Sequence, residues 1–299
     1  MKNYDVIIIG GGAAGLNAAL VLGRCRRSVL VFDSNQRRNA VSHALHGFLS
    51  RDGLPPQELL RIGREQLLPY GVEIVDTEIS NAKQRDTLFE VITAQGQVFK
   101  SRKLLLATGI VDNLPELTGF HEFYGVSAFH CPYCDGWESR DKRIVAYAKG
   151  KQIADYALTL RPYSADLILC TNGPCDLNAD ERARLVRNRI PLVEKQVDRL
   201  EGANGQLTRI VFADGEAIER DVLFFHLGQK QRSQLAAQLG CKVSDEGGVQ
   251  ADPDCTTKIP GLFIAGDATR DVQQLIVAAA EGVKAAFAVN IELRNEDHM

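Results

Sequence analysis

The chain has 299 residues, of which 45% are hydrophobic and 24% charged, and its formal net charge is −3. These values are typical of a globular protein with two domains of ordinary size, and they argue against a binder of nucleic acid or of an anionic membrane surface. No apolar run reaches the length of a membrane span, and the first predicted strand leaves no room for a signal peptide, so we expect a cytoplasmic protein.

Seven cysteines are present, an odd number that does not suggest a framework of structural disulfides. In a reducing compartment a close pair of cysteines is expected to be redox-active or to bind a metal. Three of the others are expected to be inert; these are Cys25, Cys241 and Cys255.

The first predicted unit has strand, helix and strand in close succession. Tyr4–Ile9 is a continuous apolar run that predicts a buried parallel strand, and Gly10–Gly15 predicts a turn into a helix over Leu16–Leu22. Ser28–Asp33 predicts the next strand, and Lys103–Ala107 predicts a further buried strand after a small meander.

The turn "GGGAAG" fits the pattern G-x-G-x-x-G at Gly10, Gly12 and Gly15. The first glycine permits the tight turn, the second lets a pyrophosphate approach the backbone, and the third lets helix and strand pack closely. Asp33 ends the next strand, where an acid can bind ribose hydroxyls. This predicts a dinucleotide site but does not separate FAD from NAD, and a glycine-rich turn that binds nothing is the alternative.

A second, weaker strand–helix–strand unit follows a boundary that we place near Asn113. Arg143–Ala148 predicts its first strand, a helix begins at about Gln152, and another strand starts at Ala165. Later predicted elements are a polar helix over 178–189, a hairpin around "FADGEA", the strand "VLFFHLG", a strand-to-turn element at Gly261–Ala268 and a helix over 273–293.

Alternating strands and helices predict an α/β fold with two doubly wound, Rossmann-like nucleotide-binding domains, the second inserted into the first. The predicted first domain comprises residues 1–113 and 247–299. The inserted domain comprises residues 114–246 and contains the stretch "CPYC".

In "CPYC", Cys131 and Cys134 are two residues apart, a spacing that suits a reversible disulfide at a helix N-terminus. Pro132 fits the first helical position, and Asp135 is placed to move a proton to or from a sulfur. Two alternatives remain: two unrelated structural thiols, or a zinc site. Zinc would need further ligands, for which His130, Cys170 and Cys175 are available. We expect no metal.

Together these features resemble the low-molecular-weight thioredoxin reductase family of flavoproteins. The resemblance covers nearly the whole chain and is based on "GGGAAG", "LLLATG" at Leu104–Gly109, the cysteine pair followed by "DG", and "GLFIAGDA". It implies a homodimer with FAD held by the first and last segments. The residues it assigns to FAD are Gly10, Gly12, Ala13, Ala14, Gly15, Asp33, Ser34, Asn39, His46, Thr108, Gly109, Gly266, Asp267 and Gln274.

The same resemblance assigns roles in catalysis. Cys134 would face the flavin, Cys131 would attack the disulfide of a substrate, and Asp135 would be the acid. The substrate would be a dithiol or disulfide, either a protein such as thioredoxin or a small molecule.

Two segments differ from typical thioredoxin reductases. "RRNAVSHALHGFLSRDG" at Arg37–Gly53 and "CTNGP" at Cys170–Pro174 are more similar to a subgroup that includes dithiol oxidases, which form disulfides with oxygen. That subgroup often has His directly after the second cysteine, whereas this chain has Asp135. A dithiol oxidase therefore stays an alternative.

The NADPH turn of the family, G-x-G-x-x-A, becomes Ala148, Gly150 and Ile153 in this chain. The first position has gained a Cβ where a tight turn favours none, and the third is β-branched where helix and strand should touch. The basic cluster that grips the NADPH 2′-phosphate is replaced by the uncharged stretch Thr171–Pro174. We therefore expect ordinary NADPH use to be lost, with a divergent but working NADPH site as the alternative.

Several replacements for NADPH are open. One is a protein donor such as ferredoxin, as in members of the family that do not use pyridine nucleotides. Another is a second FAD or other nucleotide, as in diflavin-linked disulfide oxidoreductases. Lys149, Gly150 and Lys151 could receive its pyrophosphate, and four aromatic residues could stack on it; these are Trp137, Tyr147, Tyr156 and Tyr163. A flavin-binding redox sensor without turnover is a further alternative.

Overall fold

The structure is a computed structural model that describes residues 3–244, 247–269 and 272–299. Its first elements are β1 (Asn3–Ile9), α1 (Ala13–Arg24), β2 (Val29–Phe32), α2 (Pro56–Leu67), β3 (Glu73–Val75), β4 (Ile79–Arg85), β5 (Leu88–Thr93), β6 (Val98–Leu106) and β7 (Ile110–Asp112).

The middle elements are α3 (Phe120–Phe123), β8 (Ala128–Phe129), α4 (Pro132–Asp135), β9 (Ile144–Ala148), α5 (Ile153–Leu160), β10 (Leu167–Cys170), α6 (Ala179–Arg187), β11 (Leu192–Val193), β12 (Val197–Ala203), β13 (Gln206–Phe212), β14 (Ala217–Glu219) and β15 (Val222–His226). The last are β16 (Gln229–Gln231), α7 (Leu235–Gln238), β17 (Leu262–Ile264) and α8 (Leu275–Asp297).

The first sheet has the strand order β3-β2-β1-β6-β5-β4, and β17 pairs in parallel with the second half of β6. Strand β1 is parallel to both β2 and β6. Side chains alternate between the faces of a strand, so Val6 and Ile8 pack under α1 and α8 while Ile7 and Ile9 pack on the opposite side. Burial of both faces explains why β1 is apolar throughout.

The second sheet is parallel throughout and has the order β11-β10-β9-β15-β8. A three-stranded antiparallel sheet, β12-β13-β14, packs against one of its faces, with Ile168 and Ile210 in one buried cluster. Helix α5 covers the other face. The prediction of two Rossmann-like sheets is therefore confirmed.

The two sheets are joined by a short antiparallel pair, β7 with β16. The predicted boundary at Asn113 directly follows β7. Leu235 and Ala236 already pack in the core of the first sheet, ahead of the predicted return at 247, and residues 245–246 lie outside the described part. The division of the chain into 1–113, 114–246 and 247–299 remains a prediction.

Helix α8 packs directly on α1. The two helices approach so closely at Gly282 that a Cβ there would collide with the carbonyl oxygen of Ala14. This contact brings the N-terminus of α8, with Gln274 as its N-cap residue, beside the turn that opens α1. Within the described residues, no helix combines the length and the apolar character that crossing a membrane requires.

Candidate functional site

The first glycine turn is shaped by close backbone contacts. Gly10 has φ +114°, and a Cβ there would collide with the carbonyl oxygen of Ala107. A Cβ at Gly15 would collide with the carbonyl oxygen of Gly10, so helix and strand approach closely here. Gly12 is the N-cap residue of α1 and has open space around it, with no side chain capping the helix. The N–H groups at the start of α1 can therefore meet an anion such as a pyrophosphate.

A cavity of about 440 Å³ begins at this turn and extends to the redox cysteines. Of the residues predicted to bind FAD, all but Gly15 line it: Gly10, Gly12, Ala13, Ala14, Asp33, Ser34, Asn39, His46, Thr108, Gly109, Gly266, Asp267 and Gln274. Cys134 and Asp135 line it as well. Cys131, Lys149, Gly150 and Lys151 are not among its lining residues.

Asp33 is almost fully buried beside the turn. Its Oδ1 accepts the N–H of Asn35 at 3.0 Å, and its Oδ2 accepts from Arg64 Nη2 at 2.7 Å. Arg37, which also lines the cavity, lies 3.5 Å from the same carboxylate, and its buried Nε has no hydrogen-bond partner within the described residues. A donor without a partner at the rim, together with the open space at Gly12, fits the residues to the polar half of a dinucleotide such as FAD.

Arg38 is a residue that sequence reasoning missed. Its Nε and Nη2 donate to the two carboxylate oxygens of Asp112 at 2.7 and 2.6 Å, and its Nη1 donates to Gln273 at 2.8 Å and to Asp267 at 3.2 Å. Burial raises the pKa of Asp267, and Arg38 partly offsets that rise. The tandem arginines after β2 were visible in the sequence, but the partner Asp112 lies 74 residues away.

Cys131 and Cys134 form a disulfide, with their Cα atoms 5.3 Å apart. Cys131 is the N-cap residue of α4, and Pro132 is the first helical residue. The Nε2 atom of Gln274 lies 3.8 Å from Cys134 Sγ and 3.9 Å from Cys131 Sγ. The structure thus brings the end of the first cavity, the N-terminus of α8 and the disulfide together.

Asp135 follows the disulfide directly and faces the same cavity. Burial raises its pKa to about 7, the Glu138 carboxylate adds to the rise, and His46 opposes it. Near neutral pH both forms of this carboxyl group are populated, which suits a group that gives and takes a proton.

His130 lies on the other side of the cysteine pair. Its Nε2 is 3.9 Å from Asp112 Oδ2. Burial lowers its pKa to about 4 even though Asp112 opposes the change, so the imidazole is neutral at pH 7. The two cysteines considered as further zinc ligands have other surroundings: Cys170 is buried in β10, and Cys175 Sγ lies 3.4 Å from a Glu194 oxygen. In the parts of the chain that the structure describes, no three His, Cys, Asp or Glu residues are grouped to hold a metal.

The second turn differs from the first in its packing. Ala148 and Ile153 are fully buried in one apolar cluster, with Ile153 as the first residue of α5. Lys149, Gly150 and Lys151 are exposed, and Gly150 has φ +91° with open space around it. The first and third positions of the turn are therefore buried in the core, and its middle position is the one accessible to a ligand.

The loop after β10 uses its polar groups internally. Thr171 Oγ1 donates to the Gly173 carbonyl oxygen at 2.7 Å, and Asn172 Oδ1 accepts from the Val197 N–H at 2.7 Å. The backbone N–H of Cys175 donates to Glu194 at 3.1 Å, which places a carboxylate in this loop. The same Glu194 carboxylate lies 3.4 Å from Arg182 Nη2, so it is part of an ion pair beside the loop.

The aromatic residues considered for stacking mostly pack inside the protein. Tyr147 is buried, and Tyr156 stacks on His226 at 4.9 Å between ring centroids while its hydroxyl donates to the Phe225 carbonyl oxygen. Tyr163 lies against Gly136, where a Cβ would meet its ring. Trp137 is exposed, with the Arg140 guanidinium 4.4 Å from its ring centroid.

Comparison with known proteins places these features in a wider group. A model of the family described as pyridine nucleotide-disulphide oxidoreductase matches residues 4–282. A protein of Arthroderma benhamiae named as a probable thioredoxin reductase is 30% identical over 98% of this chain and 81% of its own length. The solved structure of TrxB from Bacillus anthracis is 34% identical, has a TM-score of 0.93 and covers 98% of this chain and 99% of its own. The structure of HlmI is 34% identical, with a TM-score of 0.94 over 99% of this chain and 94% of its own.

Proposed function

Because this chain belongs to the pyridine nucleotide-disulphide oxidoreductase family and is an FAD-dependent disulfide oxidoreductase of the thioredoxin reductase type, we propose that it works without ordinary NADPH. Electrons pass between FAD and the Cys131–Cys134 pair, and between that pair and an external dithiol or disulfide. The observation that carries the proposal is the second turn, where Ala148 and Ile153 are buried in the core, beside the loop Thr171–Pro174, which has no basic residue.

When bound in the first cavity, FAD supplies the two-electron acceptor or donor of the reaction. Cys134 lines that cavity and would be the sulfur that faces the bound cofactor, whereas Cys131 would meet the substrate. In the reducing direction, the Cys131 thiolate attacks a substrate disulfide, and Cys134 then resolves the mixed disulfide. Asp135 gives or takes the proton at the sulfurs, and the Gln274 amide can donate to a thiolate on either cysteine.

A different electron donor has to take the place of NADPH. A protein donor of the ferredoxin type, or a second FAD or other nucleotide held at Lys149, Gly150 and Lys151, replaces NADPH. Tyr147 is buried and Tyr156 is already stacked on His226, which argues against a stacked second nucleotide, so we favour the protein donor.

A dithiol oxidase is the second candidate. With ordinary NADPH use lost, a dithiol such as a reduced protein of the thioredoxin type or a small molecule becomes the electron source, and oxygen becomes the acceptor.

The proposal also includes a homodimer located in the cytoplasm. Five cysteines outside the redox pair are free thiols, which suits a reducing compartment.

The test is to add NADPH to the purified protein without oxygen and to follow the absorbance of the flavin. We expect dithiothreitol to bleach the flavin and NADPH to leave it unchanged, whereas rapid bleaching by NADPH would establish an ordinary thioredoxin reductase. Cys134→Ser is the matched control, because it should still bind FAD but lose bleaching by dithiols. If this variant were bleached as fast as the wild type, the cysteine relay would be wrong.

A further inference from the structure

The loop between β2 and α2 extends from the first sheet to the redox turn of the inserted segment. Its residue His46 lines the same cavity as Cys134 and Asp135, although it is far from both in sequence. The Nε2 atom of His46 lies 3.6 Å from Glu138 Oε1, three residues beyond Asp135. An imidazole thus lies in the cavity that Asp135 lines, close to the carboxylate three residues beyond that acid.

The ring of His46 is oriented by its own loop. Asp52 accepts the backbone N–H of Gly47 at 2.8 Å with Oδ1, and its Oδ2 lies 3.4 Å from His46 Nδ1. One carboxylate therefore fixes both the backbone at Gly47 and one ring nitrogen, which directs the other nitrogen toward Glu138. The groups that face His46 are Asp52 from its own loop, and Asp135 and Glu138 from α4 and the turn after it.

We propose that His46, held between Asp52 and Glu138, relays protons between Asp135 and solvent during thiol–disulfide exchange at Cys131 and Cys134. His46 is a positioning and relay residue in this scheme, since it acts through Asp135 and not on the sulfurs. The inference rests on the proposed function of the cysteine pair.

The exchange itself requires proton movement. When a dithiol substrate reduces the pair, its first thiol loses a proton and the sulfur attacks Cys131, breaking the Cys131–Cys134 bond and releasing Cys134 as a thiolate. The second substrate thiol loses a proton and attacks the mixed disulfide, which releases Cys131. The substrate becomes a disulfide and the pair gains two electrons, while the two protons that the substrate thiols release to solvent are balanced by two that the pair takes up.

A buried acid alone can supply a proton to the pair, but it cannot recover one from solvent. Asp135 gives its proton to the Cys134 thiolate, and must regain one before the next exchange. Burial raises its pKa to about 7, so both of its forms exist at neutral pH. Glu138 and Asp52 are 46% and 64% exposed, so the far side of His46 reaches water. The relay thus connects the cavity to solvent without opening it.

The test measures the rate at which a dithiol opens the disulfide, with enough dithiothreitol to reduce the flavin as well, so that the pair stays open. Oxidised protein is mixed with dithiothreitol without oxygen, quenched with an alkylating agent and weighed by mass spectrometry, which reports two added labels when the pair opens. The variants are His46→Gln, Asp135→Asn and the double variant. His43→Gln is the control, since His43 is exposed in the same loop and does not line the cavity.

We expect Asp135→Asn to slow reduction about 100-fold, at the lower end of the usual range for a proton-transfer group, and His46→Gln about 10-fold, because His46 acts only through Asp135. The double variant should match Asp135→Asn, because His46 has nothing to relay once the acid is gone. His43→Gln should match the wild type. Glu138→Gln, which keeps the imidazole but removes its onward partner, should slow reduction like His46→Gln and covers the case in which His46→Gln does not fold.

Two outcomes overturn the relay. Rates for His46→Gln and Glu138→Gln within about twofold of wild type show that no proton passes through this route. Losses that multiply in the double variant show that His46 acts independently of Asp135, as a structural residue would. If dithiols do not open the wild-type pair at all, the proposed function fails and the relay with it, which separates that failure from the failure of the relay alone.

Discussion

Asp135 links protonation to stability at the scale of a single residue. Its carboxyl has a pKa of about 7 in the fold against 3.8 in the unfolded reference, because burial disfavours the charged form. The raised pKa means that the fold binds the proton more tightly than the unfolded chain does. The unfavourable contribution of the Asp135 carboxyl to the free energy of unfolding is therefore absent below pH 3.8, grows as the pH rises toward 7, and is constant above pH 7.

We accordingly predict that Asp135→Asn stabilises the protein at pH 8, by on the order of 1 kcal/mol or more, and that the gain disappears at pH 4. The measurement is urea unfolding of wild type and variant at both pH values. Glu116→Gln is the control, because Glu116 is exposed and its neutralisation should change neither value. An equal gain at pH 4 and pH 8 would show that the carboxyl is not the group whose burial matters.

The limits of sequence reasoning are clearest at the same scale. The glycine turn, the cysteine pair and Asp135 were found because each is a local pattern with a local mechanism. The contacts of Arg38 with Asp112 and of His46 with Glu138 were not found, because each joins residues that only the fold brings together. His46 was predicted to bind FAD, but the sequence contained no signal for its position beside Glu138.

At the scale of elements, the loop after β2 is attached to the strand pair that joins the two sheets. Arg38 from this loop donates two hydrogen bonds to Asp112 at the end of β7. Although burial disfavours the charged carboxylate, the hydrogen bonds and charge of Arg38, together with His130, hold the pKa of Asp112 below its usual value. Both charged groups are largely buried, so removing either one leaves the charge of the other without its partner.

We predict that Arg38→Met lowers the free energy of unfolding by about 3 kcal/mol, because it leaves the Asp112 charge buried without its partner. The double variant Arg38→Met with Asp112→Asn should recover part of that loss. Arg51→Met is the control, since Arg51 is exposed in the same loop and, among the described residues, its side chain donates a hydrogen bond to the carbonyl oxygen of its neighbour Ser50. Urea unfolding gives all four values, and an equal loss in the single and double variants would contradict the dependence of Asp112 on Arg38.

Most elements could be predicted from the sequence because their signals are local. The β-branched run of β1 and the glycines before α1 fixed the first unit, and the polar helix α6 begins with a capping box at Asn178, where the sequence placed its start. The packing of Leu235 and Ala236 in the core of the first sheet could not be predicted, because these residues carry no turn signal and show their role only by packing. The pairing of β7 with β16 was likewise invisible, since both are three residues long.

At the scale of the whole molecule, α8 has two faces with different surroundings. Its small residues, such as Gly282 and Ala285, pack on α1, whereas Ile276, Phe287 and Ile291 point outward and are 43%, 61% and 47% exposed. Phe287 lies 11 residues after Ile276 and Ile291 four residues further, spacings that place all three on one side of a helix. An apolar stripe of this kind is typical of a surface that is covered in the assembled protein.

The proposed homodimer gives this stripe an occupant, because a twofold interface pairs the same patch of two identical chains. We predict that Phe287→Glu combined with Ile291→Glu converts a dimer into a monomer, since burying four carboxylates at one interface is strongly unfavourable. Light scattering after size-exclusion chromatography measures the mass. Val186→Glu is the control: Val186 is equally apolar and exposed, but it lies on α6, and its replacement should leave the mass unchanged. A wild-type monomer, or a dimer that survives both α8 substitutions, would show that this face is not the interface.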